Sequence, residues 1–420
     1  MAIIIGSSAG AGFLAAKLVR AGIPTTIFEK GHDEKFTKDL KITTDDIKKS
    51  NCVDVSTLME MANMQRTLET ELKKYGVDLS DYYDYVENLL GVKQMADSHI
   101  GKANEVFIDA TRRCVLGPKK MFKAIDEEMC RDCGCCGVVC PYDAKWTALK
   151  CINYGKSYGL SVVENIENEE LIVENGEIIG VKYVKDGYNR VSYSNMVILA
   201  AGPINSTLLL RSVGIDAGRE FKYSAMVDIG GILEDINQNS EVQMNAIATG
   251  KNFILIPLFS QDLMDDFDCG VGDLFSISVR SLDSGIGYID DEGNEIDENI
   301  GSIVGLKEGI EMAKKVLRKA GVSEDTIKIT KAKAINSVGC ASVGDVVNSN
   351  LETEIKGLYV CDISIFPETS GKSLVLTHLA LAGRLADYLS GAGYKNRYGM
   401  SEYGVGKNYG LMSGWKRDMV

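Results

Sequence analysis

Five cysteines fall within eleven residues, in the run Cys130-Arg131-Asp132-Cys133-Gly134-Cys135-Cys136-Gly137-Val138-Val139-Cys140-Pro141. With Cys135 set aside, Cys130, Cys133, Cys136 and Cys140 follow the spacing C-x2-C-x2-C-x3-C before a proline, a pattern of thiolates suited to an iron-sulfur cluster. The x2 spacings turn the chain tightly enough for sulfurs to converge, and Gly134 and Gly137 permit those turns. Where this spacing serves two clusters, the cysteine before the proline ligates the second one, and no second complete motif is present. Cys140 is therefore the first choice for the fourth ligand, with Cys135, Cys114 or Cys151 as substitutes, and loss of one ligand would favour a three-iron cluster. Four such thiols can also close a structural zinc site. The redox reading predicts a [4Fe-4S] cluster on Cys130, Cys133, Cys136 and Cys140.

A second chemical signal opens the chain. Ile3-Ile4-Ile5 runs into Gly6-Ser7-Ser8-Ala9-Gly10-Ala11-Gly12 and then an apolar, alanine-rich stretch over 13–19. This reads as strand, tight turn and helix, a turn whose unpaired N–H groups and helix dipole receive the pyrophosphate of a dinucleotide. The usual G-x-G-x-x-G is altered: Gly6 holds the first place, Ser8 the second and Ala11 the third, with Gly10 and Gly12 nearby. Serine is small enough to leave room for phosphate. Thr25-Thr26-Ile27-Phe28 then reads as a second strand ending in Glu29, where a ribose-binding acid is expected.

These groups need elements to position them. Residues 196–203 read as a buried parallel strand entering a glycine turn, with a helix following over 206–212. Near the C-terminus 357–367 is another buried strand with an acid, Asp362, at its end, and a helix follows over about 374–389. Between them, strands at 253–258 and 275–279 precede a helix over 306–320. Residues 51–98 read as helical, with Leu58, Met61, Met64 and Leu68 on one face as ordinary core. The tail after Gly391 is rich in Gly, Tyr and Met and lacks periodicity; it is a candidate surface for a protein partner.

Composition narrows the function class. The 420 residues suffice for two domains. A net charge of -13 argues against nucleic-acid binding, which needs clustered Lys and Arg in excess. Eleven cysteines, an odd number with several adjacent, give no disulfide framework and point to a reducing cytoplasm. The strand-like residues directly after Met1 leave no room for a signal peptide, and no apolar run approaches a membrane span.

Three segments together resemble the FAD-dependent glucose-methanol-choline oxidoreductases. They are Gly6 to Gly12 with Glu29-Lys30-Gly31; Ala200-Ala201-Gly202-Pro203-Ile204-Asn205-Ser206; and Tyr359-Val360-Cys361-Asp362-Ile363-Ser364-Ile365-Phe366-Pro367 with Leu379-Ala380-Leu381-Ala382-Gly383-Arg384. Cys140-Pro141-Tyr142-Asp143-Ala144-Lys145 is similar to the Cys-Pro-x-x-Ala-Lys segment of cysteine-bearing members, and 281–288 followed by Gly293 to the family's substrate-domain strands. The resemblance implies an α/β fold: a Rossmann-like FAD-binding domain and a mixed-sheet substrate domain, here with an inserted iron-sulfur loop. The FAD domain would be assembled from 1–50, 100–215 and 330–393, with the cluster loop at 130–141. A helical segment would fill 51–99, the substrate domain 216–329 and the tail 394–420. The resemblance also implies that Gly6, Ser8, Gly10 and Ala11 line the pyrophosphate, that Glu29 holds the adenosine ribose, that Ala201 and Gly202 line the cofactor and that Asp362 approaches the ribityl or pyrophosphate.

The departures from the family matter as much. Its catalytic histidine opens a His-x-x-Gly-Thr segment, and the matching stretch here is Asn336-Ser337-Val338-Gly339-Cys340; its Asn-Pro partner aligns with Ser373-Leu374. Asparagine cannot take a hydroxyl proton at neutral pH, so the ordinary alcohol mechanism lacks its base. Asn336 is expected to orient a carbonyl or amide, and Ser373, near a helix N-terminus, to stand where N–H groups stabilise an anionic reduced flavin. Of three histidines, His378 lies on the helix after Ser373, either as a base or as a packed residue; His32 follows the nucleotide acid, and His99 has no reading. Tyr142 and Tyr154 are further proton carriers in principle. Together, FAD exchanges two electrons with an organic substrate, whether alcohol, carbonyl or activated alkene, and the cluster passes them singly to or from a carrier such as a ferredoxin, which suits an anaerobe. The alternative is an electron-transfer subunit of a larger complex with no substrate chemistry of its own; a redox sensor or structural zinc protein is a third.

Overall fold

The structure is a computed structural model, and it describes residues 1–31, 57, 60–297 and 299–391. His32, Leu58 and the tail at 394–420 lie outside the described residues.

Two sheets organise the chain. The first is wholly parallel, in the order Leu358–Val360, Val197–Leu199, Ala2–Ile5, Thr25–Phe28, Ser161–Val163. Numbered along the chain and read from the opposite edge this is 3-2-1-4-5, the doubly wound order in which ligands bind where the winding reverses, beside the first strand. The strands read as unbroken apolar runs because helices cover the sheet's faces. Ala9–Arg20 packs against both Val375–Leu389 and Ala148–Lys156, and nearly every side chain of the first two is buried. A separate antiparallel meander, Ile166–Glu174, Glu177–Lys185 and Tyr188–Tyr193, flanks the sheet.

The second sheet is antiparallel around the long pair Phe221–Ile232 and Leu274–Ile289, extended through Phe253–Pro257 and Ala246–Thr249 to Lys119–Lys120. Period-two alternation splits its side chains. Tyr223, Ala225, Val227 and Ile229, with Phe275, Ile277 and Val279, pack in one core beside residues of Val304–Ala320 and Lys102–Arg113. The opposite face carries Ser224, Met226 and Asp228 beside Ser276, Ser278 and Arg280, and Arg280 pairs with Met226 and Ile254 across the sheet.

Three boundaries shift from the sequence reading. Lys333–Val338, which carries Asn336, belongs to the second sheet, antiparallel to Phe221–Ile232, and not to the nucleotide domain. Lys102–Arg113 likewise packs into the second domain through Ala103, Phe107 and Ala110. Among the described residues of the stretch expected to be helical, Thr57 is helical and α-helices occupy Glu69–Lys73 and Ser80–Leu90. Residues 60–68 are instead irregular, held by a bridge between Asn63 and Lys123 and a main-chain bond from Ala124 to Ala62.

Candidate active site

The nucleotide crevice is made almost entirely by main chain. After the first strand Gly6 turns at φ 98°, and a Cβ there would stand 2.4 Å from the Ala200 carbonyl oxygen, so only glycine lets the two loops at the switch point approach. Ser8 caps Ala9–Arg20, its hydroxyl accepting from the Ala11 N–H. A cavity of about 490 Å³ opens above, lined by Gly6–Ser8, Glu29–Gly31, Asn168–Glu170, Ala200–Gly202 and Asn205. The Glu29 carboxylate accepts from the Gly31 N–H at 2.8 Å, which fixes it at the rim. Asp362 is buried at the adjoining strand end, accepting from the N–H groups of Gly202 (3.0 Å) and Ser364 (2.9 Å) and from the Ser206 hydroxyl (2.5 Å). It therefore caps the helix Gly202–Ser212.

Crevice, helix N-terminus and rim acid fit the adenosine diphosphate half of FAD. Gly6, Ser8, Glu29, Ala201 and Gly202 all border it as expected. Gly10 and Ala11 do not line the cavity; at Gly10 the missing Cβ makes room for another side chain, since the His378 ring would lie 2.1 Å from it. His378 is buried between these helices with Nε2 3.0 Å from the Cys361 carbonyl oxygen, and burial lowers its pKa. This burial and bonding are those of a packed residue, which favours the packed reading of His378 over the base. Asn168 and Glu169 were missed because they sit on the remote meander; Glu169 pairs with Lys30 at 3.5 Å across the mouth.

The cysteine loop hangs from a small ladder. Residues 62–64, 122–126 and 144–146 bond to one another through main chain, and the loop leaves and re-enters at Asp126 and Ala144. All five cysteines line one small cavity with Ile125, Asp132, Tyr142, Lys145 and Val242. Gly134 has φ 77°, and a Cβ there would lie 1.8 Å from the Asn239 carbonyl oxygen, which seats the loop on the second domain. Cys114 and Cys151 do not line this cavity. Burial pushes the Cys130 thiol up to about 12 and also raises Cys136, whereas the neighbouring Cys135 thiol lowers Cys133 by hydrogen bonding. His99, uninterpreted from sequence, has Nδ1 2.8 Å from the Asp132 carboxylate.

Between the cavity and the substrate face lies a group of buried charges that sequence reading passed over. Lys145 Nζ donates to the carbonyls of Cys136 (2.8 Å), Val138 (2.9 Å) and Glu60 (3.3 Å). Lys123, fully buried, donates to the Met61 carbonyl and to Asn63 Oδ1, and burial pulls its pKa down to about 8. Burial raises Glu60, while Arg280, the Ser373 hydroxyl and the two lysines oppose that shift. Asn336, in the left-handed region at φ 54°, donates through Nδ2 to the Lys372 carbonyl at 3.0 Å. Arg280 reaches the Gly371 carbonyl. The segment 371–373, just before Val375–Leu389, thus gathers Asn336, Arg280 and Glu60 around Ser373. A charged residue inside an apolar strand, as Arg280 is in 274–282, was the signal available for these groups.

Comparison with known proteins agrees with this architecture. The N-terminal profile of the GMC oxidoreductase family matches residues 69–254 and its C-terminal profile residues 300–382. An uncharacterized protein of Methanocaldococcus jannaschii is 29% identical over 388 residues, covering 90% of this chain and 96% of its own. Pyridoxine 4-oxidase from Mesorbium loti superposes with a TM-score of 0.66 at 13% identity, covering 92% of this chain and 98% of its own. A formate oxidase variant from Aspergillus oryzae RIB40 superposes at 0.71 with 12% identity, covering 93% and 98%, so both share the fold. Among the described residues no helix is long and apolar enough to cross a membrane. The chain belongs to the GMC oxidoreductase family and is an FAD-dependent oxidoreductase acting on an organic substrate.

Proposed function

We propose that this flavoenzyme also carries an iron-sulfur cluster on Cys130, Cys133, Cys136 and Cys140, and exchanges electrons one at a time with a ferredoxin-like carrier. The observation that carries the reading is the convergence of all five loop cysteines on one cavity whose wall, Lys145, also touches Glu60 beside Ser373. A cluster held by these thiols would stand next to the segment 371–373, which supports electron transfer between it and a flavin there.

The thiols' spacing supports a cluster rather than a preformed zinc site. Tetrahedral zinc, with bonds of about 2.3 Å, would hold its sulfurs about 3.8 Å apart. Among the described residues, the set of three ligand atoms mutually within 4.8 Å is His99, Cys130 and Asp132, and the motif's thiols are not drawn together that closely. Buried Lys123 and Lys145 supply positive charge where thiolates and an anionic cluster would gather. Unpartnered polar atoms on the substrate face, Asp228 Oδ1, Ser278 Oγ and Arg280 Nε, favour an enzyme with its own substrate over a pure electron-transfer subunit.

When bound, FAD supplies the two-electron chemistry. Gly6–Ser8 would hold its diphosphate and Glu29 its ribose, with Asn336 and Ser373 toward the reacting end. Asn336→Ala is expected to slow substrate turnover while leaving iron content unchanged; unaltered turnover would remove Asn336 from the site. The central test is purification without oxygen, with iron, acid-labile sulfide, zinc and flavin measured per chain and EPR spectra of the reduced protein. About four irons and one FAD support the proposal. Zinc, or FAD without metal, overturns it.

A further inference from the structure

The guanidinium of Arg280 is placed to receive something that the protein itself does not supply. Nη1 donates to the Gly371 carbonyl oxygen at 3.4 Å. Nη2 has the Met244 thioether at 3.8 Å, a weak acceptor, and Nε is shut away from water with no partner. One whole edge of the fork, Nε with Nη2, thus lacks an oxygen acceptor. An unsatisfied buried donor on a charged group is costly, so in a working protein it marks a ligand position.

Its surroundings say which ligand. Arg280 stands on the inner face of the second sheet, between Met226 and Ile254, with Ser278 and Asp228 one step along. Asp228 uses Oδ2 to accept from the Ser260 hydroxyl and leaves Oδ1 unpartnered, and no ion pair joins it or Glu60 to Arg280 within 4.0 Å among the described residues. Arg280, partly buried, acts on both Glu60 and Asp228, and the buried Lys123 and Lys145 stand near Glu60. A planar fork with one free edge in such a pocket matches a carboxylate, which accepts two parallel N–H bonds. A neutral amide or alcohol offers a single oxygen and no charge, so it cannot make two parallel charge-assisted bonds.

We propose that the substrate is a carboxylic acid, held by its carboxylate on the Nε–Nη2 edge of Arg280 with its reacting carbon toward Ser373 and Asn336. The assignment rests on the flavin site lying beside 371–373, but not on the cluster. For a hydroxy acid the reaction then balances as follows. The C–H bond breaks with its electron pair passing as hydride to the flavin, the O–H proton leaves to a base, and the C=O bond forms. Glu60, as a carboxylate, is the group beside Ser373 that would accept that proton.

The test uses the FAD-loaded full chain and probes of known structure: acetate and benzoate against acetamide and benzamide, each titrated while the visible flavin spectrum is recorded. Wild type is expected to give a saturable spectral change with the acids and none, or one at least about tenfold weaker, with the amides. Arg280→Met should weaken the acids by about tenfold or more and leave the amides alone, and Arg280→Lys, which keeps the charge but loses the fork, should fall between. Equal binding of acid and amide, or unchanged acid binding in Arg280→Met, overturns the proposal. Should Arg280→Met fail to retain FAD, the acid-amide comparison in wild type and the Arg280→Lys titration decide it. A protein with FAD but without iron gives the same readout, so failure of the cluster reading and failure of this one are told apart.

Discussion

At the nucleotide crevice the polar groups are main chain, offered by the ends of parallel strands and one helix N-terminus, over a core of Ile3, Ile4, Ile5, Phe13 and Leu14 that is essentially unexposed. At the cysteine cavity they are side chains: Lys123 and Lys145 are buried and hold a short ladder of segments by bonding to their carbonyls. The first kind of site depends on strand register and on glycines at close approaches, and it forms whenever the sheet forms. The second depends on buried charges, which are costly when left without partners, so it is stable only while each lysine keeps its acceptors. The two sites should therefore fail separately.

The strongest way to break the comparison is to remove a thiol. Cys133→Ser is expected to abolish the cluster or convert it to a three-iron form while FAD stays at one per chain, because no residue of the crevice touches the loop. Parallel loss of flavin and iron would show that the cysteine loop supports the nucleotide fold after all. Next in size is Lys145→Met, which strands the carbonyls of Glu60, Cys136 and Val138. Urea unfolding should show a loss of about 2–4 kcal/mol, with iron content falling and flavin retained. A stability change near zero would mean that water replaces the ammonium easily and that the cavity is less closed than its lining implies.

Gly10→Ala probes the other site. The added Cβ meets the His378 ring between two helices that cannot part without opening the core, so a loss of about 1–3 kcal/mol is expected. His378→Ala in the same chain should recover part of it. Additive losses would disconnect the two positions.

The difference between the regions also explains what the sequence revealed. Ile3-Ile4-Ile5 before Gly6, and Val197-Ile198-Leu199 before Gly202, are local patterns: strand, turn and helix lie within about twenty residues, and each residue type has its own physical reason to be there. The cysteine spacing is local too. Arg280, Lys123 and Glu60 carry no such signature, because each becomes meaningful only when distant segments meet: 60–64 with 122–126, and 274–289 with 371–373. A lysine between Phe122 and Ala124 reads as an exposed strand residue until Asn63 is placed beside it. Asn336 was found by its alignment with a family histidine, but its sheet was not, since Lys333–Val338 pairs with a strand more than a hundred residues earlier. Gly10 was misassigned for a related reason: a glycine next to a phosphate loop suggests phosphate, and only the return of the C-terminal helix shows that it makes room for a ring.

His378 gives the smallest expected effect and separates packing from chemistry most cleanly. Burial lowers its pKa, and its ring is bonded to the Cys361 carbonyl, so the folded state resists protonation. The unfolded chain takes up the proton near the ordinary histidine value, about 6.5. Below that pH the unfolded state binds more protons than the folded one, and stability falls as pH falls, by at most about 1.4 kcal/mol per pH unit, until the folded-state pKa is reached. Above about 6.5 the residue contributes no pH dependence. In His378→Gln this component should vanish: the mutant's unfolding free energy, measured in urea from pH 7 down to pH 5, should fall less steeply than that of wild type, whose carboxylates are unchanged and cancel in the difference. Identical slopes would mean that the folded ring takes up a proton as readily as the unfolded one, which a ring wedged against Gly10 cannot do, and would reopen His378 as a group able to move protons.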